Sequence, residues 1–208
     1  MRDSPWAIVL AAGASRRFGG HKLTADLDGV PLIDHVFTAL AESRRRQDIA
    51  GVVLVIRAED GELARLAGGD IETRRLPPEA PVELAASLRA GLAALEAPGR
   101  SPAPGAALIC LADQPGLRAD VIAAIVDYWR QGIGNAVRPR YAETPDLPGH
   151  PLLIDRSLWP LVAEATGDAG LGPVLARHPG LVRMVDVPGR NPDIDTPADL
   201  ASFLRATE

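Results

Sequence analysis

The chain has 208 residues, 47% hydrophobic and 24% charged, the composition of an ordinary globular protein with one real core, expected as a single domain over residues 1–208. Its 22 Lys+Arg against 27 Asp+Glu leave −5, which argues against non-specific nucleic-acid binding, and the single Cys110 excludes an intramolecular disulfide or a multi-cysteine metal site. No apolar stretch reaches the ~18–20 residues of a membrane span, and the first residues lack the apolar core of a signal peptide, so a cytoplasmic protein without membrane contact is expected.

A short apolar run over 7–10 reads as a buried first strand. It feeds a loop, residues 10–22, that packs small residues, the hydroxyl of Ser15 and the cations Arg16, Arg17 and Lys22 into one turn. Such a turn lets backbone amides approach an anion while side chains neutralise it, and a polyphosphate is the most economical ligand. Asp28-Gly29-Val30-Pro31 reads as a turn, with Pro31 opening a helix. Leu32, Ile33, Val36, Phe37 and Leu40 share one face of that helix through about Arg46, and Arg44, Arg45 and Arg46 suit its carboxyl end.

Residues 51–56 form a continuous apolar run, as for a strand covered on both faces. A short helix over 61–66 and a strand over 71–76 follow, and Pro77, Pro78 and Pro81 delay a helix striped by Leu84, Leu88, Leu92 and Leu95. The Pro- and Gly-rich residues 97–105 read as a surface loop. Residues 106–111 form another buried strand that holds Cys110 and leads into Ala112-Asp113-Gln114-Pro115. Val121, Ile122, Ile125, Val126 and Trp129 mark the next amphipathic helix.

Strands over 136–139 and 152–154 flank a loop over 141–150. A helix near 158–165, a Gly-rich turn over 167–172 and a strand over 181–187 complete the pattern, and Thr196 caps a last helix that starts at Pro197. The alternation of strands and helices predicts an α/β fold, a Rossmann-like, mostly parallel, doubly wound sheet with helices on both faces. Ligands of such sheets collect beyond the carboxyl ends of the strands, where the opening loop and Asp113 meet across one cleft.

The opening loop fits none of three familiar motifs. The Walker A spacing from Gly13 to Gly19 is one residue too long, the dinucleotide fingerprint is absent, and Arg17 stands where a nucleophile elbow needs its last glycine. On position alone Asp113 suits either a Mg²⁺ ligand or the cap of the following helix. Asp193 and Asp195 straddle Ile194, so in extended chain both carboxylates face one side; one can join Asp113 while the other supports the turn at Thr196. His150 lies between Gly149 and Pro151, where a substrate contact and an ordinary solvated loop histidine are both open.

These strings together resemble a family. Residues 10–22, in the pattern Leu-Ala-Ala-Gly-x-Ser-x-Arg-x-Gly-x-x-Lys, resemble the signature loop of the MobA-like nucleotidyltransferases. Leu111-Ala-Asp-Gln-Pro115, Gly149-His-Pro151, Gly167-Asp168 and Asp193-Ile-Asp-Thr-Pro197 follow in the order of the molybdenum cofactor cytidylyltransferase branch. The resemblance implies Mg²⁺-dependent transfer of a nucleotidyl group from CTP to the phosphate of the molybdopterin cofactor, with release of pyrophosphate. It implies that Leu10, Ala11, Ala12, Gly13, Ser15, Arg17, Lys22 and Ser87 bind the nucleotide, with Arg17, Lys22 and Asp113 catalytic. Asp113 and Asp193 would hold the metal, and Gly149, His150, Pro151 and Asp168 would face the acceptor. A molybdenum hydroxylase apo-enzyme is the partner implied. Ala12, where guanylyl enzymes of the family carry glycine, favours CTP over GTP. The chain departs from the branch at Gly172, where an arginine is usual, and at Leu76-Pro77-Pro78 and Pro81-Val82-Glu83 before the central helix.

Overall fold

The computed structural model describes residues 4–13, 17–100 and 102–207. Seven strands form one sheet: β1 (Trp6–Leu10), β4 (Gly51–Arg57), β5 (Glu72–Leu76), β6 (Ala106–Leu111), β7 (Ala136–Tyr141), β8 (Leu152–Asp155) and β9 (Val182–Val187). They lie in the order β5-β4-β1-β6-β8-β7-β9. Only β8 runs against its neighbours β6 and β7; the other pairings are parallel. A two-stranded hairpin, β2 (Asp26–Leu27) and β3 (Val30–Pro31), turns at Asp28 and Gly29, both at positive φ.

Alternation along the central strands divides the core into two layers. Ala7 and Val9 of β1 face the helices α1 (Leu32–Arg45) and α4 (Ala119–Arg130), while Ile8 and Leu10 face α3 (Leu84–Leu95). The expected stripe on α1 is buried at Leu32, Ile33, Val36 and Leu40, with Phe37 partly covered. Arg45 and Arg46 pair with Glu42 at its carboxyl end, as a helix-end role for the basic run requires. The short helices α2 (Gly61–Ala67) and α5 (Gly172–Ala176) and the last helix, α6 (Pro197–Thr207), complete the set. Thr196 Oγ1 accepts from the Asp199 amide and the Asp199 carboxylate accepts from the Thr196 amide, a reciprocal cap at the start of α6.

One expected helix is different in kind. Residues Arg156–Glu164 form 3₁₀ turns, because Pro160 within them has no amide to donate and clashes with an α-helical carbonyl. No helix among the described residues is long and apolar enough to cross a membrane.

The contact that seats α3 on the sheet is a glycine. A Cβ at Gly91 would lie 2.4 Å from Ile8 Cγ2 and 3.3 Å from Val55 Cγ2. Gly91→Ala gains helix propensity but overpacks this contact, so a net loss of about 1–2 kcal/mol is expected in urea unfolding. An unchanged midpoint would show that α3 shifts freely.

Candidate functional site

β1 and β6 are parallel neighbours, so Leu10 and Leu111 end side by side and both chains leave the sheet at the same edge. The Ala112 amide donates to Leu10 O at 3.2 Å and the Ala11 amide to Val55 O at 2.9 Å, so pairing continues just past the strands. A cleft opens there in two adjoining lobes. One lobe, about 530 Å³, is lined by Leu10, Ala11, Ala12, Gly13, Arg17, Lys22, Ser87, Asp113, Asp168 and Asp193, among others. The second, about 790 Å³, shares Ala11 to Gly13 and Lys22 and extends to Arg57 and Asp60. Ser15, named with the first group from sequence, lies outside the described residues.

Among the described residues nothing lies within 4 Å of a Cβ built at Gly13, so their packing does not require glycine there. Its bare backbone therefore leaves room against the cleft wall for a ligand to approach closely.

Lys22 is the electrostatic centre. A 3₁₀ turn, Lys22–Thr24, presents a side chain only 9% exposed. Its Nζ donates to Asp113 Oδ2 at 2.8 Å and to Asp195 Oδ1 at 3.1 Å. Burial pulls the Lys22 pKa down, but the charge of Asp113 and the hydrogen bonds to Asp113 and Asp195 outweigh it, and the net shift is upward. Arg17, far more exposed, donates to the other Asp195 oxygen at 3.1 Å.

Asp113 is too far ahead of α4 to cap it, since that helix begins at Ala119. The Ile194 amide donates to Asp113 O at 2.9 Å, which clips the segment of Asp193 and Asp195 across the end of β6. Asp193 accepts from Gln114 Nε2 at 2.8 Å. Its pKa is raised, first by burial and then by the charges of Asp113 and Asp195, against the hydrogen bond from Gln114 and the charge of Lys22. Two carboxylates thus meet one ammonium, and Asp193 stands near enough for their charges to raise its pKa, an oxygen-rich and under-neutralised donor set that suits Mg²⁺ or Mn²⁺. Among the described residues no three acidic, His or Cys side chains are arranged to hold a metal alone. Mg²⁺ typically takes one or two carboxylates and completes its shell with phosphate and water oxygens, so the residues fit.

Ser87 is buried on α3 and its Oγ donates to Glu83 O at 3.2 Å. Gly149, His150 and Pro151 do not line either lobe; they stand one hydrogen-bond relay away. Asn191 Nδ2 donates to Gln114 Oε1 at 3.2 Å and to His150 O at 3.4 Å, and Gln114 in turn holds Asp193. Tyr141 donates its hydroxyl to His150 O at 2.9 Å. A Cβ at Gly149 would come within 2.6 Å of Pro139 O, so glycine is needed for this loop to lie on β7. Pro151 is buried and its bond to His150 is cis.

Burial, with the charge of Arg138, lowers the His150 pKa from the usual 6.5 to about 4. A folded pKa below the unfolded one means stability is full at neutral pH and is lost as pH falls through that window. The stability advantage of wild type over His150→Asn should shrink by about 3 kcal/mol between pH 7 and pH 4 in denaturant melts. A constant difference would show that the imidazole keeps its ordinary pKa.

Sequence reasoning named neither Asn191 nor Tyr141 as site residues, and neither carries a local motif. Gln114 lies within Leu111-Ala-Asp-Gln-Pro115, where nothing local marks it as the partner of Asp193. Arg138 carried only a weak signal, a cation next to the apolar Ala136-Val137 start of its strand.

The chain's fold matches several solved structures. The Rv0371c homologue from Mycobacterium sp. strain JC1 superposes with a TM-score of 0.81 at 23% identity, over 99% of this chain and 98% of that one. Rv0371c from Mycobacterium tuberculosis H37Rv gives 0.77 at 27% identity, over 97% and 98%. A manganese complex of Rv0371c from the same organism gives 0.76 at 22% identity, over 99% and 100%. No curated protein matches the chain. The family model described as the MobA-like NTP transferase domain matches residues 7–182, which span β1, the cation loop, Asp113 and the His150 loop. With that match over most of its length, the chain belongs to the MobA-like NTP transferase family and is a nucleotidyltransferase.

Proposed function

We propose that the protein transfers the cytidylyl group of CTP to the phosphate of a molybdopterin-type cofactor and releases pyrophosphate, with Mg²⁺ as the metal. The observation that carries this reading is the cleft in which Lys22 touches Asp113 and Asp195, Arg17 touches Asp195, and Asp193 lines the same lobe. Simple nucleotide binding has no need of three crowded carboxylates, whereas phosphoryl chemistry does.

In this reaction an acceptor phosphate oxygen forms a bond to the α-phosphorus while the bond to the β-phosphate oxygen breaks. Two anions must meet, and negative charge grows on the departing pyrophosphate. Arg17 and Lys22 screen both, and their cost of ordering is met in advance by Asp195, which holds the two cations together. The backbone of Leu10 to Gly13 carries base and ribose, and Ser87 stands where the base is read. Asp113 and Asp193 would hold the metal, and Asp195 completes the acidic set. A metal bound there would supply Lewis-acid screening of the triphosphate oxygens. Gly149, His150, Pro151 and Asp168 form the acceptor side. No group in the cleft is asked to become covalently attached, and the work is chiefly alignment of two bound phosphates. The preference for CTP draws its support from Ala12.

Pyrophosphate release is measured with each of the four ribonucleoside triphosphates, with and without molybdopterin. Release with CTP that depends on molybdopterin is the expected result. Release with GTP alone overturns the base, and release independent of molybdopterin overturns the acceptor.

A further inference from the structure

The segment that joins β5 to α3, Pro77 to Glu83, borders the cleft and is held at both ends. Arg57 and Leu76 are paired at the carboxyl ends of β4 and β5, so the segment leaves the sheet beside Arg57. Pro77, Pro78 and Pro81 fix φ and have no amide to donate. The guanidinium of Arg57, a side chain only 11% exposed, meets the segment's carbonyls: Nη1 donates to Ala80 O at 2.9 Å and Nη2 to Pro78 O at 2.8 Å. The Ala80 amide donates to Pro77 O at 3.0 Å and closes a turn between them. At the far end the Glu83 carboxylate caps nothing in its own helix and accepts instead from the Gly167 amide at 3.2 Å. A Cβ at Gly170, where φ is +55°, would lie 2.8 Å from Leu84 Cδ2, so the same turn packs on the start of α3.

What this frame presents is Val82. Its side chain is 41% exposed and belongs to neither core layer. A lone exposed valine on an open surface calls for no explanation, but this one lines both lobes of the cleft. The lobes share Ala11, Ala12, Gly13, Lys22, Leu23 and Val82, so Val82 stands where they meet, with the Gly13 backbone. Ser87, one turn into α3, lines the smaller lobe with it. A flat ring suits this setting. Its edges find backbone groups and a hydroxyl, and its face gains by covering an apolar side chain, whereas a phosphate there is only desolvated.

We propose that Val82 covers one face of the nucleobase and that Arg57 is its positioning residue, acting through the proline segment. This seating of the base rests on the transferase reading and adds to it a contact that senses the ring rather than the phosphates. An apolar cover reads no hydrogen-bonding edge, so it serves pyrimidine and purine alike. Its stiff support means that little ordering is left for the ligand to impose.

Calorimetry with CTP, GTP and inorganic tripolyphosphate, each with Mg²⁺, separates ring from phosphates. Val82→Ser should weaken both nucleotides at least fivefold and leave tripolyphosphate within twofold. Arg57→Gln should show the same split, and Arg57→Lys, which keeps the charge without the fork, should recover it only in part. Amide exchange over residues 79–83 should quicken in Arg57→Gln and not in Val82→Ser. Undiminished nucleotide binding to Val82→Ser, an equal loss for tripolyphosphate, or a wild type that binds neither nucleotide overturns the cover. Unchanged exchange in Arg57→Gln overturns the positioning role. If Arg57→Gln does not fold, Arg57→Lys replaces it in both measurements. Failure of the transferase reading looks different: both nucleotides still bind with this dependence on Val82, while no triphosphate releases pyrophosphate.

Discussion

Asp113→Ala is expected to lower kcat for pyrophosphate release by about 10³-fold or more while the protein stays folded. Asp113 stands at the end of β6, one quarter exposed, and its backbone carbonyl, which the variant keeps, is what clips the Asp193 segment in place. The carboxylate is therefore dispensable to the frame. Its removal leaves Lys22 paired with Asp195 and relieves the repulsion that Asp113 exerts on Asp193. Thermal stability should change by no more than about 1 kcal/mol, since one attraction and one repulsion are lost together. Stabilisation by added Mg²⁺ or Mn²⁺ should largely disappear, because linkage requires a ligand set that binds only the folded state. An active variant, or one that keeps the wild-type response to metal, removes Asp113 from the mechanism.

How far the residues alone led depends on whether the signal was local. Strand β6 was legible to the residue, because a six-residue apolar run between a Pro-Gly loop and Asp113 has few other uses. Strands β1 and β4 and helices α1, α3 and α4 were legible for the same reason. The 3₁₀ character of Arg156–Glu164 was hidden, since its apolar spacing resembles a helix and only Pro160 argued otherwise. Within the site, the loop from Leu10 to Lys22 and the motif after Asp193 are contiguous and were found as strings. What was not legible is pairing across the chain. Nothing local says that Lys22 chooses Asp113 and Asp195, from 91 and 173 residues away, or that Asn191 joins Gln114 to His150. The choice between Asp193 and Asp195 was open for the same reason: alternation places both on one side, and only tertiary contacts give one to Gln114 and the other to Lys22 and Arg17.

Lys22→Met separates two jobs that one ammonium performs. Methionine roughly keeps the volume of a side chain that is 9% exposed, so the effects are those of charge. In the ligand-free protein the ammonium neutralises converging carboxylates, and its loss should cost about 1–2 kcal/mol near neutral pH, discounted for the partly exposed Asp113 and Asp195. The sign with pH follows from its raised pKa: the contribution is full below the ordinary lysine value and is lost as pH rises through the folded one, so variant and wild type converge in strong alkali. Mg²⁺ should stabilise the variant more than the wild type, because a divalent cation replaces the missing charge among the same carboxylates. Activity should not follow stability. With bound CTP the lysine is needed for the triphosphate as well, and kcat/KM should fall by about 10²–10³-fold even at saturating Mg²⁺. The comparison of the two readouts decides the role. If Mg²⁺ restores rate together with stability, Lys22 only holds the place of the metal; if it restores stability alone, Lys22 moves from the carboxylates to the phosphates during turnover.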